Sequence, residues 1–113
     1  MGEFVKVATL SEIEPGKRKS VWVEGQRVLL LNIDGKLYAC DESCPHRECS
    51  MAKGDLEGKV IVCPCHYAKF DLETGEIVQE PTKYPPTPPL PVHEVKIDGW
   101  DVLVSLNLKA DYA

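Results

Sequence analysis

Short apolar runs separated by glycines set the rhythm of this chain. The runs predict strands at Phe4–Ala8, Ser20–Val23, Gln26–Ile33, Lys36–Cys40, Val60–Val62, Ala68–Asp71, Val92–Ile97 and Asp101–Ser105. Most are rich in Val, Ile or Leu, which suit a pleated, half-buried surface. Glycines at 16, 25, 35, 54, 58, 75 and 99 punctuate them, as in all-β domains. Asp34-Gly35, between two apolar runs, predicts a tight hairpin because both residues tolerate positive φ. Glu24-Gly25 and Asp98-Gly99 play similar parts. Leu10-Ser11-Glu12-Ile13 allows one helical turn, and no stretch of 11 or more residues sustains a helical apolar period.

Two segments break the strand pattern. Residues 41 to 58 are polar and cysteine-rich with little β-branching, and read as a long functional loop. Residues 81 to 91 hold six of the nine prolines, which fix φ and restrict the preceding residue, so this part is an extended strap. Pro85 and Pro88 stand in P-x-x-P spacing, but a rigid connector is the simpler reading.

Length and charge narrow the function. A chain of 113 residues makes one domain with a modest core, which excludes a large multi-domain enzyme. The net charge of −5 argues against nucleic acid or an anionic membrane surface and suits a partner with a basic rim. The longest apolar run, Val28-Leu29-Leu30-Leu31, falls far short of a membrane span. Met1-Gly2-Glu3-Phe4 leads into strand-like sequence without a secretory pattern, so the cytoplasm is the expected location. Five cysteines are an odd number for a pure disulfide framework and direct attention to metal or redox chemistry.

The cysteines fall beside histidines. Cys44-Pro45-His46 is followed, after sixteen intervening residues, by Cys63-Pro64-Cys65-His66. Each segment offers one thiolate and one imidazole, as expected if two loops clasp one object from opposite sides. A single zinc accepts two Cys and two His, but C-x-H is tight for zinc, whose paired ligands usually stand two to four residues apart. A binuclear iron-sulfur cluster explains the spacing better if both thiolates hold one iron and both imidazoles the other.

With these two motifs the sequence closely resembles the Rieske family. Leu37-Tyr38-Ala39, Phe70-Asp71, Thr74-Gly75, Leu90-Pro91-Val92, Asp98-Gly99 and Val102-Leu103-Val104 extend the likeness to soluble Rieske-type ferredoxins from about Glu3 to Leu106. The resemblance implies a single Rieske domain over 1–113: a small antiparallel β-barrel or sandwich base with a cluster-binding subdomain inserted at 41–85. It implies one 2Fe-2S cluster per chain, with Cys44 and Cys63 on one iron and His46 and His66 on the other. It places Cys49 and Cys65 where high-potential Rieske proteins carry an inter-loop disulfide, and Pro81 in a third loop over the cluster. At positions where those proteins carry Ser and Tyr hydroxyls bonded to the cluster sulfurs, this chain has Ala68 and Phe70. Tyr67 stands where Gly is common in the family.

Charge counting gives the ligand set a physical meaning. Two ferric ions, two sulfides, two thiolates and two neutral imidazoles sum to zero, whereas four cysteines leave a dianion. An electron is added more easily to the neutral centre, which raises the potential to about −150 to +300 mV. The missing hydroxyls predict a value below that of respiratory Rieske subunits. The implied function is a monomeric one-electron carrier between a reductase and an oxygenase or other acceptor, with no catalytic residue of its own. Two alternatives are an electron-entry subunit of a larger oxidoreductase and a structural Cys2His2 zinc module. Among the remaining residues, Cys40 reads as a small core residue, Trp22 and Trp100 as core or barrel-end packing, His93 as a surface histidine, and Lys17-Arg18-Lys19 as a solvated turn.

Overall fold

The computed structural model describes residues 3–43, 49–65, 67–80 and 88–106. Among the described residues ten strands follow one another: β1 Val5–Thr9, β2 Arg18–Val23, β3 Gln26–Ile33, β4 Lys36–Asp41, β5 Leu56–Glu57, β6 Val60–Val62, β7 Lys69–Asp71, β8 Ile77–Gln79, β9 Val92–Asp98 and β10 Asp101–Ser105. Two 3₁₀ turns, Leu10–Glu12 and Met51–Lys53, are the helical elements among the described residues. Six strands form an antiparallel sheet in the order β1-β10-β9-β4-β3-β2, and four form a smaller one, β5-β6-β7-β8. The outer strands β1 and β2 approach each other, so the larger sheet is nearly closed into a barrel.

The hairpins follow from local chemistry. Asp34 and Gly35 adopt φ of 54° and 93°, the left-handed pair whose twist matches flanking strands. Glu24 and Gly25 repeat this at 49° and 84°. Asn32, largely buried, fastens the first of these turns: its amide donates to the Ile13 carbonyl and its Oδ1 accepts from the Gly35 N–H, both at 2.8 Å.

The run Val28-Leu29-Leu30-Leu31 does not alternate because both faces of β3 are buried. Val28 and Leu30 join Ile13, Val21, Ala39 and Val102 inside the barrel. Leu29 and Leu31 point the other way and, with Cys40, pack against Met51, Ile61, Cys63, Phe70, Leu72 and Leu90 of the smaller sheet and its connections. One central strand therefore serves two cores. A fully buried Leu or Phe contributes about 1.5–3 kcal/mol, enough for this shared wall to hold the two sheets together.

Several details differ from the sequence expectations. The segment from 41 to 58 is not loop throughout: it contains the Met51–Lys53 turn and β5. β8 was not legible, because its apolar run is only Ile77-Val78 between polar neighbours, too short to mark a strand. Trp22 and Trp100 are 67% and 77% exposed; Trp22 lies on the outer face of β2, with the Arg27 guanidinium 5.4 Å from its ring centre. The His93 side chain is 1% exposed and lies 2.8 Å from Asp41 Oδ1, at the seam where Ala39 and Cys40 pair with His93 and Val92. Within the expected strap only 88–91 is described; there Leu90 is buried and its N–H donates to the Gly75 carbonyl. No helix among the described residues is long and apolar enough to cross a membrane.

Candidate metal centre

Cys63 occupies a tight turn between β6 and β7. Its N–H donates to the Ala68 carbonyl at 2.8 Å, and its carbonyl accepts from the Tyr67 N–H at 3.0 Å. These two bonds join the ends of the turn. Gly54 lies against the strand that enters this turn, so close that a Cβ there would sit 2.2 Å from the Val62 carbonyl oxygen. Only glycine permits that approach.

The residues that flank the first motif are joined in a comparable way. Ser43 and Ser50 form an isolated antiparallel bridge, and the Met51 N–H donates to the Glu42 carbonyl. The largely buried Glu42 carboxylate accepts from the Ser20 hydroxyl at 2.5 Å and the Ser50 hydroxyl at 3.0 Å, with Arg27 Nε 3.5 Å away. Arg18 Nη1 donates to the Ala52 and Gly54 carbonyls at 2.9 and 2.8 Å. The basic run around Arg18 is therefore no mere solvated turn: of the alternate residues of β2, Arg18 fastens the segment between the two motifs to the barrel and Ser20 holds Glu42, just before the first motif. Sequence reasoning missed both Arg18 and Glu42, because a contact spanning more than twenty residues leaves no local pattern.

Cys49 and Cys65 are joined by a disulfide with their Cα atoms 6.4 Å apart. It ties the segment after the first motif to the second motif. The sulfur atoms of Cys49, Cys63 and Cys65 lie within 4.8 Å of one another, but two are spent in the bridge, so the free donor of the three is Cys63, which is buried. A buried free thiol beside a covalent tie between the two motif segments fits a soft, thiolate-bound iron centre. Ala68 and Phe70 are buried in the same apolar core as Cys63. Cys40 is buried there too, and burial, reinforced by the carboxylates of Asp41 and Glu42 and opposed by Arg18, pushes its thiol pKa well up. Cys44, His46, His66 and Pro81 lie outside the described residues.

Comparison with known proteins bears on the same residues. The family model of the Rieske [2Fe-2S] domain matches residues 3–98. The biphenyl dioxygenase ferredoxin subunit of Pseudomonas sp. strain KKS102 is 37% identical over 111 residues, covering 97% of this chain and 98% of the relative. The ferredoxin component of the naphthalene 1,2-dioxygenase system of Pseudomonas aeruginosa is 34% identical, covering 93% and 97%. Among solved structures, the ferredoxin of carbazole 1,9a-dioxygenase from Nocardioides aromaticivorans IC177 superposes with a TM-score of 0.76 at 31% identity, covering 92% of this chain and 98% of that one. A complex of reduced oxygenase and oxidized ferredoxin in carbazole 1,9a-dioxygenase matches with a TM-score of 0.74 at 32% identity, covering 90% and 92%. The two-motif sequence, the barrel with its smaller sheet and these likenesses agree, and the chain belongs to the Rieske [2Fe-2S] domain family.

Proposed function

We propose that this protein is a Rieske-type ferredoxin that carries single electrons from a reductase to an oxygenase, and that it works in the cytoplasm. The observation that carries the proposal is the Cys49–Cys65 bridge beside the buried free thiol of Cys63: it joins the two motif segments and leaves one thiol of the second for iron. Cys44 and Cys63 would hold one iron and His46 and His66 the other, within a cluster-binding subdomain spanning 41–85, with Pro81 in a covering loop. When bound, a [2Fe-2S] cluster supplies reversible one-electron transfer at moderate potential. The chain's own residues hold the turn of Cys63, exclude water behind it with Phe70 and Leu72, and offer no hydroxyl at Ala68 or Phe70. The apolar pair favours a midpoint below that of respiratory Rieske subunits.

Metal and acid-labile sulfide analysis, with EPR and redox titration of the dithionite-reduced protein, tests the proposal. Two irons and two sulfides per chain and the low average g of mixed His/Cys ligation are expected; one zinc without sulfide refutes it. Stoichiometric copurification with a catalytic subunit would instead favour an electron-entry subunit.

A further inference from the structure

Tyr67 has φ of +64°, a left-handed backbone conformation that bulky residues rarely adopt. The other described non-glycine residues with positive φ, Glu24 and Asp34, are polar and sit in two-residue hairpin turns. Tyr67 has no such excuse. Its conformation is imposed by the closed turn, since its N–H is bound to the Cys63 carbonyl and the next residue's carbonyl accepts from the Cys63 N–H. Its own carbonyl accepts from Gln79 Nε2 at 3.3 Å, which secures the backbone and not the ring. Glycine would meet every one of these backbone requirements without strain.

The side chain returns little to the fold. Tyr67 is 59% exposed, it belongs to neither apolar core, and among the described residues its hydroxyl makes no hydrogen bond. A strained backbone that carries an exposed aromatic ring points to a role outside the folding of the chain. The ring stands one residue from His66, the proposed iron ligand. A partner that takes an electron there must approach this part of the surface, and exposed Tyr is among the side chains most enriched at the energetic centre of interfaces.

We propose that Tyr67 is a docking residue for the acceptor oxygenase, its ring entering an apolar recess of that partner beside the electron-transfer site. The proposal rests on the carrier function above, and the oxygenase is chosen as occupant because the structural likeness includes a ferredoxin bound to its oxygenase. The test uses cluster-loaded wild-type protein, Tyr67→Gly, Tyr67→Asn and Tyr67→Phe, with the oxygenase and reductase of a biphenyl dioxygenase system as probes. Both Gly and Asn tolerate positive φ.

Tyr67→Gly and Tyr67→Asn are expected to weaken oxygenase binding, read as Kd, by about ten-fold, while melting temperature and midpoint potential do not fall. Tyr67→Phe is expected to retain most of the affinity. Unchanged Kd in Tyr67→Gly, a loss confined to the reductase, or a midpoint shift without a binding defect each overturns the docking role. Wild-type protein that fails to reduce the oxygenase overturns the carrier function on which it rests, and the docking role falls with it.

Discussion

Cys40 is sealed between the barrel and the smaller sheet, with Asp41 and Glu42 next to it in the chain. Burial first, then these two carboxylates, raise its pKa, so the folded thiol stays protonated under conditions where an unfolded one ionises. Below the ordinary thiol range, both states hold the proton and stability is unaffected. As pH rises past about 8.5 the unfolded state loses its proton first, so stability falls as pH climbs from there toward the folded-state value. Iodoacetamide at neutral pH, followed by peptide mass mapping, should leave Cys40 unmodified in the native protein and label it in denaturant. Cys40→Ala should flatten the alkaline decline. The core role of Cys40 was legible from its place at the end of an apolar strand, whereas the burial of His93 was not. His93 sits in the alternating strand β9, and only the pairing of β9 with β4 closes its side chain in against Asp41.

At the level of elements, β2 does more than complete the barrel. Its apolar positions Val21 and Val23 face the interior, while Arg18 reaches out to the segment that joins the two motifs and Ser20 to Glu42 just before the first. Hydrogen bonds from a charged group contribute about 1.5–3 kcal/mol each. Arg18→Gln should therefore destabilise the protein by about 2 kcal/mol in urea unfolding, with Arg18→Lys recovering part of the loss. The same variant should raise hydrogen exchange at Ala52 and Gly54 more than in β10, because the loss is local to the joined segment. The main strands were legible from their runs of Val, Ile and Leu between turn residues, and the Asp34-Gly35 hairpin because its chemistry is local. β5 and β8 were not, since each is defined by its neighbours: Leu56 pairs with Ile61 and Lys69 with Gln79.

For the molecule as a whole, the disulfide is the long-range tie within the site. It closes a loop between residues 16 apart in sequence, a size for which cross-linking restricts the unfolded chain by about 3 kcal/mol. Replacing Cys49 and Cys65 together with Ser should lower stability by about that amount in denaturant titration and shorten the lifetime of the bound cluster, followed by the loss of its visible absorption. A free-thiol count on the denatured, unreduced apoprotein should find three thiols, with Cys49 and Cys65 absent from the labelled set.

The sequence by itself determined the strand-rich class, the main hairpins and the two motifs that mark the family, because alternation, turn chemistry and ligand spacing are properties of adjacent residues. Only the tertiary structure decided how the parts are held. It placed β3 between two cores, brought Arg18 and Glu42 to the segment between the motifs, buried His93, and left Trp22, Trp100 and Tyr67 exposed. Those outcomes depend on which distant surfaces meet, and an aromatic residue reads the same in sequence whether its ring is covered by the core or faces a partner.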